Sequence, residues 1–182
     1  MRRRNRLVLL GFAFMGLVAM LYLAGCTPKV QGAPLDDDGA TVEGTTIEVT
    51  LYFSDDQATG VLPEKRTIEV TEGEGEIPIE KIAVLELIEG PSNEDLRKTL
   101  PPETRLLSIV VNDGVAVVDF SQEFQTKHWG GSAGEGLTIQ SLVKTLTSIE
   151  GIDKVQVLIQ GEVIDSLAGH YDWSEPFAPE SE

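Results

Sequence analysis

The sequence predicts an α+β domain, a two-layer sandwich of one mainly antiparallel sheet of five to six strands with two helices on one face. Three observations lead to this prediction: short segments alternate apolar and polar residues, hairpin turns join several of them, and two segments have helical periodicity. Strands with one polar face and helices with one apolar stripe each need a covering layer. A chain of 182 residues is long enough for one such domain.

The first two strands are predicted near the start of the domain. Residues 47–53 place apolar side chains at every second position, which is typical of a strand with one buried face. Residues 67–70 repeat this alternation more briefly, after a turn near Gly60. These two segments are expected to be neighbours in the sheet.

The remaining strands are predicted in the second half of the chain. Residues 106–111 and 115–120 flank Asn112-Asp113-Gly114, a sequence that tolerates positive φ and therefore favours a hairpin. Residues 155–159 form another half-buried strand, and a short turn leads to residues 163–164. Because most of these connections are hairpins, the sheet is expected to be largely antiparallel.

Two helices are predicted between the strands. Pro78 is suited to a helix start and Gly90-Pro91 to a helix end, so they bracket a helix over residues 79–89. The second helix has a clear apolar stripe opposite Lys144, and Ser132 and Glu135 have the spacing of a capping box at its start. The stripe consists of Ile139, Leu142, Val143, Leu146 and Ile149.

The first 25 residues are predicted to be a signal peptide. Arginines at positions 2, 3, 4 and 6 precede an uncharged apolar run over residues 7–23. The run ends in Leu23-Ala24-Gly25-Cys26, which resembles the lipobox of bacterial lipoproteins, where the signal is cut before a lipidated cysteine. This resemblance implies signal-peptidase recognition at Leu23, Ala24 and Gly25, and an extracytoplasmic protein held to the cell membrane by lipid on Cys26. A plain anchor helix is the alternative.

The segment between Cys26 and the domain is predicted to be a flexible acidic tether. Residues 26–45 are rich in Pro, Gly, Asp and Thr, and they bury too little apolar surface to offset the entropy of the chain. A calcium loop at residues 36–38 is disfavoured, because the Gly and the later Glu of an EF-hand are missing. The domain is expected over residues 46–177, followed by a disordered tail over residues 178–182.

Composition excludes several functional classes. A formal charge of −16 argues against nucleic-acid binding, which needs a basic face. One cysteine and two histidines make a zinc cage improbable, and no metal or cofactor is predicted. No nucleophile elbow or paired-carboxylate groove is recognisable, so the sequence predicts no catalytic residues and no enzyme.

A glycine-rich stretch over residues 130–136 has two interpretations. Backbone N–H groups at a helix N-terminus can bind a phosphate, but no Gly-Lys-Ser/Thr follows and a Glu occupies the first turn. A helix cap with a flexible entry loop is therefore favoured.

Aromatic residues beside this stretch are the candidate contacts to a partner. Tyr and Trp are favoured at binding hot spots because they combine large area with few rotatable bonds. The alternative for Trp173 is that it folds the C-terminal segment onto the core. The candidate contact residues are His128, Trp129, Gly130, Gly131, Tyr171 and Trp173.

The folded part resembles the GerMN domain of spore germination and sporulation lipoproteins. The matching segments, in order, are residues 49–53, 89–92, 100–104, 115–124, 130–135, 142–146 and 155–159. The resemblance implies a non-enzymatic α/β module of the bacterial envelope that acts as a scaffold or binds envelope proteins, in sporulation or germination. A peptidoglycan- or glycan-binding module is the alternative, with Trp129 and Trp173 as stacking platforms.

Overall fold

The computed structural model describes residues 45–70 and 77–180, which form six strands and three helices. The predicted signal peptide, Cys26 and all of the predicted tether except Thr45 lie outside these residues. The α+β class and the positions of the predicted elements are confirmed. The elements are β1 (Thr45–Ser54), β2 (Val61–Val70), α1 (Ile79–Glu89), β3 (Leu106–Asn112), β4 (Val115–Phe120), α2 (Glu123–Thr126), α3 (Gly131–Thr147), β5 (Lys154–Ile159) and β6 (Glu162–Val163).

The strands form two sheets, and the predicted single sheet of five to six strands is wrong. One sheet has the order β1-β2 and the other β3-β4-β5-β6. Helix α3 hydrogen-bonds the outer edge of β1, which is why no further strand pairs there. The Tyr52 N–H donates to Thr145 Oγ1 at 3.0 Å, and Ser141 Oγ donates to the Tyr52 carbonyl at 2.5 Å.

The four-stranded sheet is mixed, which corrects the expectation of a mainly antiparallel sheet. The β3–β4 hairpin forms as predicted, with Asp113 at φ 49° and Gly114 at φ 78°. Strands β4 and β5 are parallel, however, because α2 and α3 lie between them and return the chain to the same end of the sheet. The short strand β6 pairs antiparallel with β5.

The prediction that helices α1 and α3 lie on one face of a single sheet is wrong. They contact each other, and each contacts strands of both sheets: α1 reaches β1 and β3, and α3 reaches β1 and β5. The predicted apolar stripe of α3 is confirmed at Leu142, Val143 and Leu146, which are buried, and Lys144 is exposed as expected. The same helix also buries polar residues, namely Glu135, Thr138, Ser141 and Thr145.

A half-buried ion pair joins β2 to the end of α1. Arg66 Nη1 contacts Glu86 Oε2 at 2.5 Å, and Arg66 Nη2 donates to the Gly90 carbonyl, also at 2.5 Å. Gly90 ends the helix with φ 99°. Glu64 binds the same guanidinium and accepts the Ser92 backbone N–H, so the two strand residues hold the chain that leaves α1.

Candidate functional site

The candidate site is centred on Trp129, in the loop between α2 and α3. Its side chain is 45% exposed, which is unusual for an indole in a chain with a well-formed core. Gly130 follows with φ 101° and Gly131 with φ 56°, so the backbone turns sharply into α3. This turn presents the indole at the surface while the adjacent backbone stays against the helix.

The glycine-rich stretch allows a close contact between this loop and α3. A Cβ at Gly134 would lie 2.4 Å from the carbonyl oxygen of Trp129, which real Cβ atoms do not tolerate. The predicted capping box does not form, because α3 starts at Gly131 after an N-cap at Gly130 that makes no side-chain hydrogen bond. The glycines therefore hold the Trp129 backbone against the first turn of the helix.

His128 is fixed beside the indole by a buried hydroxyl. Its Nε2 lies 3.0 Å from Thr138 Oγ1, and that hydroxyl donates to the Thr99 carbonyl at 2.7 Å. Nε2 therefore carries the hydrogen in the neutral imidazole, since Thr138 uses its own hydrogen elsewhere. Burial lowers the pKa of His128, and the nearby charge of Glu135 opposes this effect. The imidazole lies nearly parallel to the Trp129 ring, with the two ring centroids 6.2 Å apart.

A groove of about 210 Å³ lies beside the indole. Its wall is formed by the start of α3, the loop after β1 and the loop that precedes β3. Charges of both signs line it, from Asp55 and Asp56 after β1 and from Arg97 and Lys98 in the segment before β3. The Thr59 hydroxyl hydrogen-bonds Asp55 and lowers its pKa. The groove therefore combines an aromatic wall with fixed polar groups.

Glu135 organises the chain on the opposite side of α3. Its side chain is fully buried, and both carboxylate oxygens accept hydrogen bonds from residues 166–173. The donors are the Ser166 hydroxyl, the backbone N–H groups of Leu167, Ala168 and His170, and the Trp173 indole Nε1. Burial by itself raises the pKa of Glu135, but the hydrogen bonds from Ala168, Trp173 and His170 outweigh it and hold the pKa below its usual value.

The predicted contact residues separate into three environments. His128, Trp129, Gly130 and Gly131 lie together at the start of α3, but only Trp129 and Gly130 line the groove. Tyr171 is 44% exposed and lines a different groove, with Ile139 and Lys144. Trp173 is fully buried, in edge contact with Phe124 and Phe177, so the prediction of Trp173 as a surface contact is wrong and its alternative role in the core is the observed one.

Two functional groups of residues were missed by the sequence analysis. The spacing of Glu135 from Ser132 predicts a helix cap, and nothing local shows that residues 166–173 return to it. The groove residues Arg97 and Lys98 lie in a segment without periodicity. Both depend on contacts between distant parts of the chain.

The predicted signal-peptidase and lipidation residues are not among those that the structure describes. Leu23, Ala24, Gly25 and Cys26 lie outside the described residues. Within residues 45–70 and 77–180, no helix has the length and hydropathy needed to cross a membrane. The same residues contain no group of three or more His, Cys, Asp or Glu arranged to hold a metal ion.

These features define a small α+β domain with an exposed aromatic residue, Trp129, in a loop that is held against helix α3. A sequence model of the Germane family, described as sporulation and spore germination, matches residues 50–165. This match covers more than half of the chain, which therefore belongs to that family, and the resemblance to the GerMN domain is confirmed. The family is not a known enzyme family.

Individual relatives agree with this assignment. The spore germination protein GerM of Bacillus subtilis is 34% identical over 82 residues, which are 43% of this chain and 22% of GerM. The solved tandem GerMN domains of that sporulation protein match with a TM-score of 0.59 and 25% identity, over 74% of this chain and 46% of theirs. This chain thus spans less than half the length of the GerM proteins it matches.

A shorter solved structure matches over most of its length. It is a candidate lipoprotein from Clostridium perfringens, with a TM-score of 0.51 and 29% identity, over 73% of this chain and 87% of that one. The first GerMN domain of GerM from Bacillus subtilis has the same fold, with a TM-score of 0.53, 23% identity, and coverage of 72% and 94% of the two chains.

Proposed function

We propose that this protein is an extracytoplasmic lipoprotein whose domain binds another protein of the bacterial envelope, in sporulation or spore germination, without catalysing a reaction. The signal sequence, the predicted lipid on Cys26 and the family membership support the location and the process. The exposure of Trp129 is the single observation on which the binding role depends.

Trp129 has the properties of a binding hot spot. Its loop is held by the close contact with Gly134 and by the His128 hydrogen bond, so little conformational freedom is lost when a partner covers the indole. The charges of Asp56 and Arg97 beside it can fix the orientation of a partner. A rigid aromatic anchor with a polar rim favours protein recognition.

The chemistry around His128 supports a role in binding over one in catalysis. The hydroxyl that contacts its Nε2 belongs to Thr138, which is fully buried and donates its hydrogen to a backbone carbonyl. A nucleophile must reach a substrate, and a general base must reach the proton that it removes. The buried Thr138 hydroxyl does not meet the first requirement, and the Nε2 atom of His128 is already engaged by that hydroxyl.

The test is in-cell crosslinking of the full chain in its own host, followed by identification of the crosslinked protein. We expect Trp129→Ala to abolish a specific crosslink, and Leu62→Ala to keep it. Leu62 is a suitable control because it is 50% exposed on β2 and does not line the groove. An unchanged crosslink in Trp129→Ala, or hydrolase activity of the purified chain, would contradict the proposal.

The anchor is tested separately by metabolic labelling with palmitate. We expect the wild-type chain to incorporate the label and to fractionate with membranes after cleavage of its signal. Cys26→Ala is expected to remain unlabelled and uncut. Labelling of the Cys26→Ala chain would overturn the assignment of the lipid to this residue.

A glycan-binding role is the second candidate, and the residues that line the groove favour it. The indole of Trp129 can stack on a sugar face, while Asp56 and Arg97 offer hydrogen bonds to hydroxyl groups. Sedimentation of the full chain with purified peptidoglycan tests this role, with Trp129→Ala as the control. Equal sedimentation of the two proteins would exclude stacking on Trp129.

A further inference from the structure

Three of the four outer sheet edges are covered or interrupted within the described residues. Side chains of α3 occupy the edge of β1. Strand β6 has only two residues, and beyond it Phe177 exchanges two backbone hydrogen bonds of 2.9 Å with Val155 of β5. Strand β2 contains Pro63 together with Glu64, Lys65 and Arg66, and proline and charge both disfavour the pairing of another strand.

The edge of β3 has none of these features. Its sequence from Leu106 to Asn112 contains no charge and no proline, and Leu107 and Val110 are each about half exposed. Asn112 pairs with Val115 across the two-residue turn, so the alternate residues Ile109 and Val111 direct their N–H and C=O groups away from β4. No described residue hydrogen-bonds these outward groups.

We propose that β3 is a docking edge, at which an extended segment of another protein adds as a strand. This inference rests on the proposed role as a protein-binding module, but it uses a surface different from the Trp129 groove. The irregularity between Leu106 and Ser108 limits the edge to residues 108–112. The added segment would therefore be short, with alternating apolar side chains.

Charge selects the kind of segment that fits this edge. The whole chain has a formal charge of −16, and the tip of the β3–β4 hairpin carries Asp113. Asp153 and Lys154 lie against the same turn, because their backbone N–H groups donate to the Gly114 carbonyl at 2.7 Å and 3.1 Å. Two acids thus face one lysine at this turn. A second copy would bring the same negative charge to the edge. The expected occupant is therefore a segment of a different protein, with lysine or arginine residues flanking the apolar positions.

The test is residue-resolved hydrogen–deuterium exchange of the full chain in detergent micelles. The probe is a synthetic peptide of alternating valine and threonine, flanked at each end by two lysines. We expect saturating peptide to slow exchange of the Ile109 and Val111 amides by at least about fivefold, since they gain hydrogen bonds. The matched probe with glutamates in place of the lysines is expected to have a weaker effect.

Variants locate the effect on β3. Val110→Lys places a positive charge beside the added strand and is expected to remove most of the protection. Val163→Lys is the control, because Val163 is similarly exposed, at 54%, but lies on β6 at the far side of the same sheet. Trp129→Ala is expected to leave the protection unchanged, which separates this proposal from the one made for the Trp129 groove.

Three outcomes would overturn the proposal. The first is no slowing of the Ile109 and Val111 amides by the lysine-flanked peptide at any concentration. The second is protection without peptide that rises with protein concentration, which would make a second copy the occupant. The third is protection without peptide that is independent of concentration, which would mean that the chain covers its own edge.

Discussion

The indole Nε1 of Trp173 donates a 2.7 Å hydrogen bond to the buried carboxylate of Glu135. This bond connects α3 to the last part of the domain, where Trp173 is fully buried against Phe124. One acidic side chain thus sets the path of residues 166–173, because its two oxygens accept every hydrogen bond that this part of the chain directs at the helix.

Glu135→Gln tests the importance of this carboxylate. Glutamine keeps the shape, but it presents an NH₂ group to donors that previously met an oxygen. We expect a loss of about 2–4 kcal/mol in the free energy of unfolding, since a buried hydrogen-bonded charge is replaced by a mismatched amide. Urea denaturation of the full chain measures the loss. Glu162→Gln, at an exposed position on β6, is the control and should change stability by less than about 0.5 kcal/mol.

The same carboxylate makes stability depend on acid. Because the folded pKa of Glu135 lies below its usual value of 4.5, its contribution is complete above that value and is lost as the pH falls through the folded pKa. The stability difference between wild type and Glu135→Gln should therefore shrink when denaturation is repeated below pH 4.5. All other acidic groups are the same in both proteins. If the stability difference between wild type and Glu135→Gln stays constant as the pH falls, Glu135 does not titrate in this range.

Gly134→Ala and Gly136→Ala should differ, although both glycines lie in the first turns of α3. A Cβ at Gly134 meets the backbone oxygen of Trp129, whereas one at Gly136 meets the Tyr171 hydroxyl at 2.9 Å, which can move. We expect Gly134→Ala to cost about 1–3 kcal/mol by overpacking. Gly136→Ala should be near neutral or stabilising, because alanine is the better helix former. Thermal melts compare them, and equal losses would contradict the close contact at Trp129.

Thr145→Val tests the contribution of the hydrogen bond from α3 to the outer edge of β1. Valine keeps the volume but removes the acceptor for the Tyr52 N–H. We expect a loss of about 1–3 kcal/mol from the unsatisfied backbone donor. Thr147→Val is the matched control, since its hydroxyl bonds only the Val143 carbonyl of its own helix. If denaturation gives equal values for the two variants, the Tyr52 contact contributes nothing.

Local sequence signals predicted the elements well. The turn at Asn112-Asp113-Gly114 and the limits of α1 follow from residues within a few positions of each other, so the sequence is sufficient to locate them. The apolar stripe of α3 likewise identifies its buried face at Leu142 and Leu146. Within such segments, periodicity and turn chemistry decide the structure.

Pairing between distant segments could not be predicted in this way. The parallel alignment of β4 with β5 arises because the two intervening helices bring the chain back to the same end of the sheet. No local sequence pattern predicts this alignment. The burial of Thr138, Ser141 and Thr145 on a predicted amphipathic helix has the same origin. Their hydroxyl groups are satisfied by Thr99 and β1, which are distant in sequence. For the site, exposure of Trp129 was anticipated, whereas the groove beside it was not.

The bonds between α3 and β1 also limit the order in which this domain can fold. Ser141 and Thr145 lie 89 and 93 positions after Tyr52, so the first hairpin cannot complete its hydrogen bonding until the last third of the domain has emerged. Contacts of such large sequence separation slow folding, because a long loop must close before they form. We therefore expect the β1–β2 hairpin to form before its outer edge is fully covered. A chain that stops before residue 141 would leave Tyr52 of β1 without either of its partners on α3.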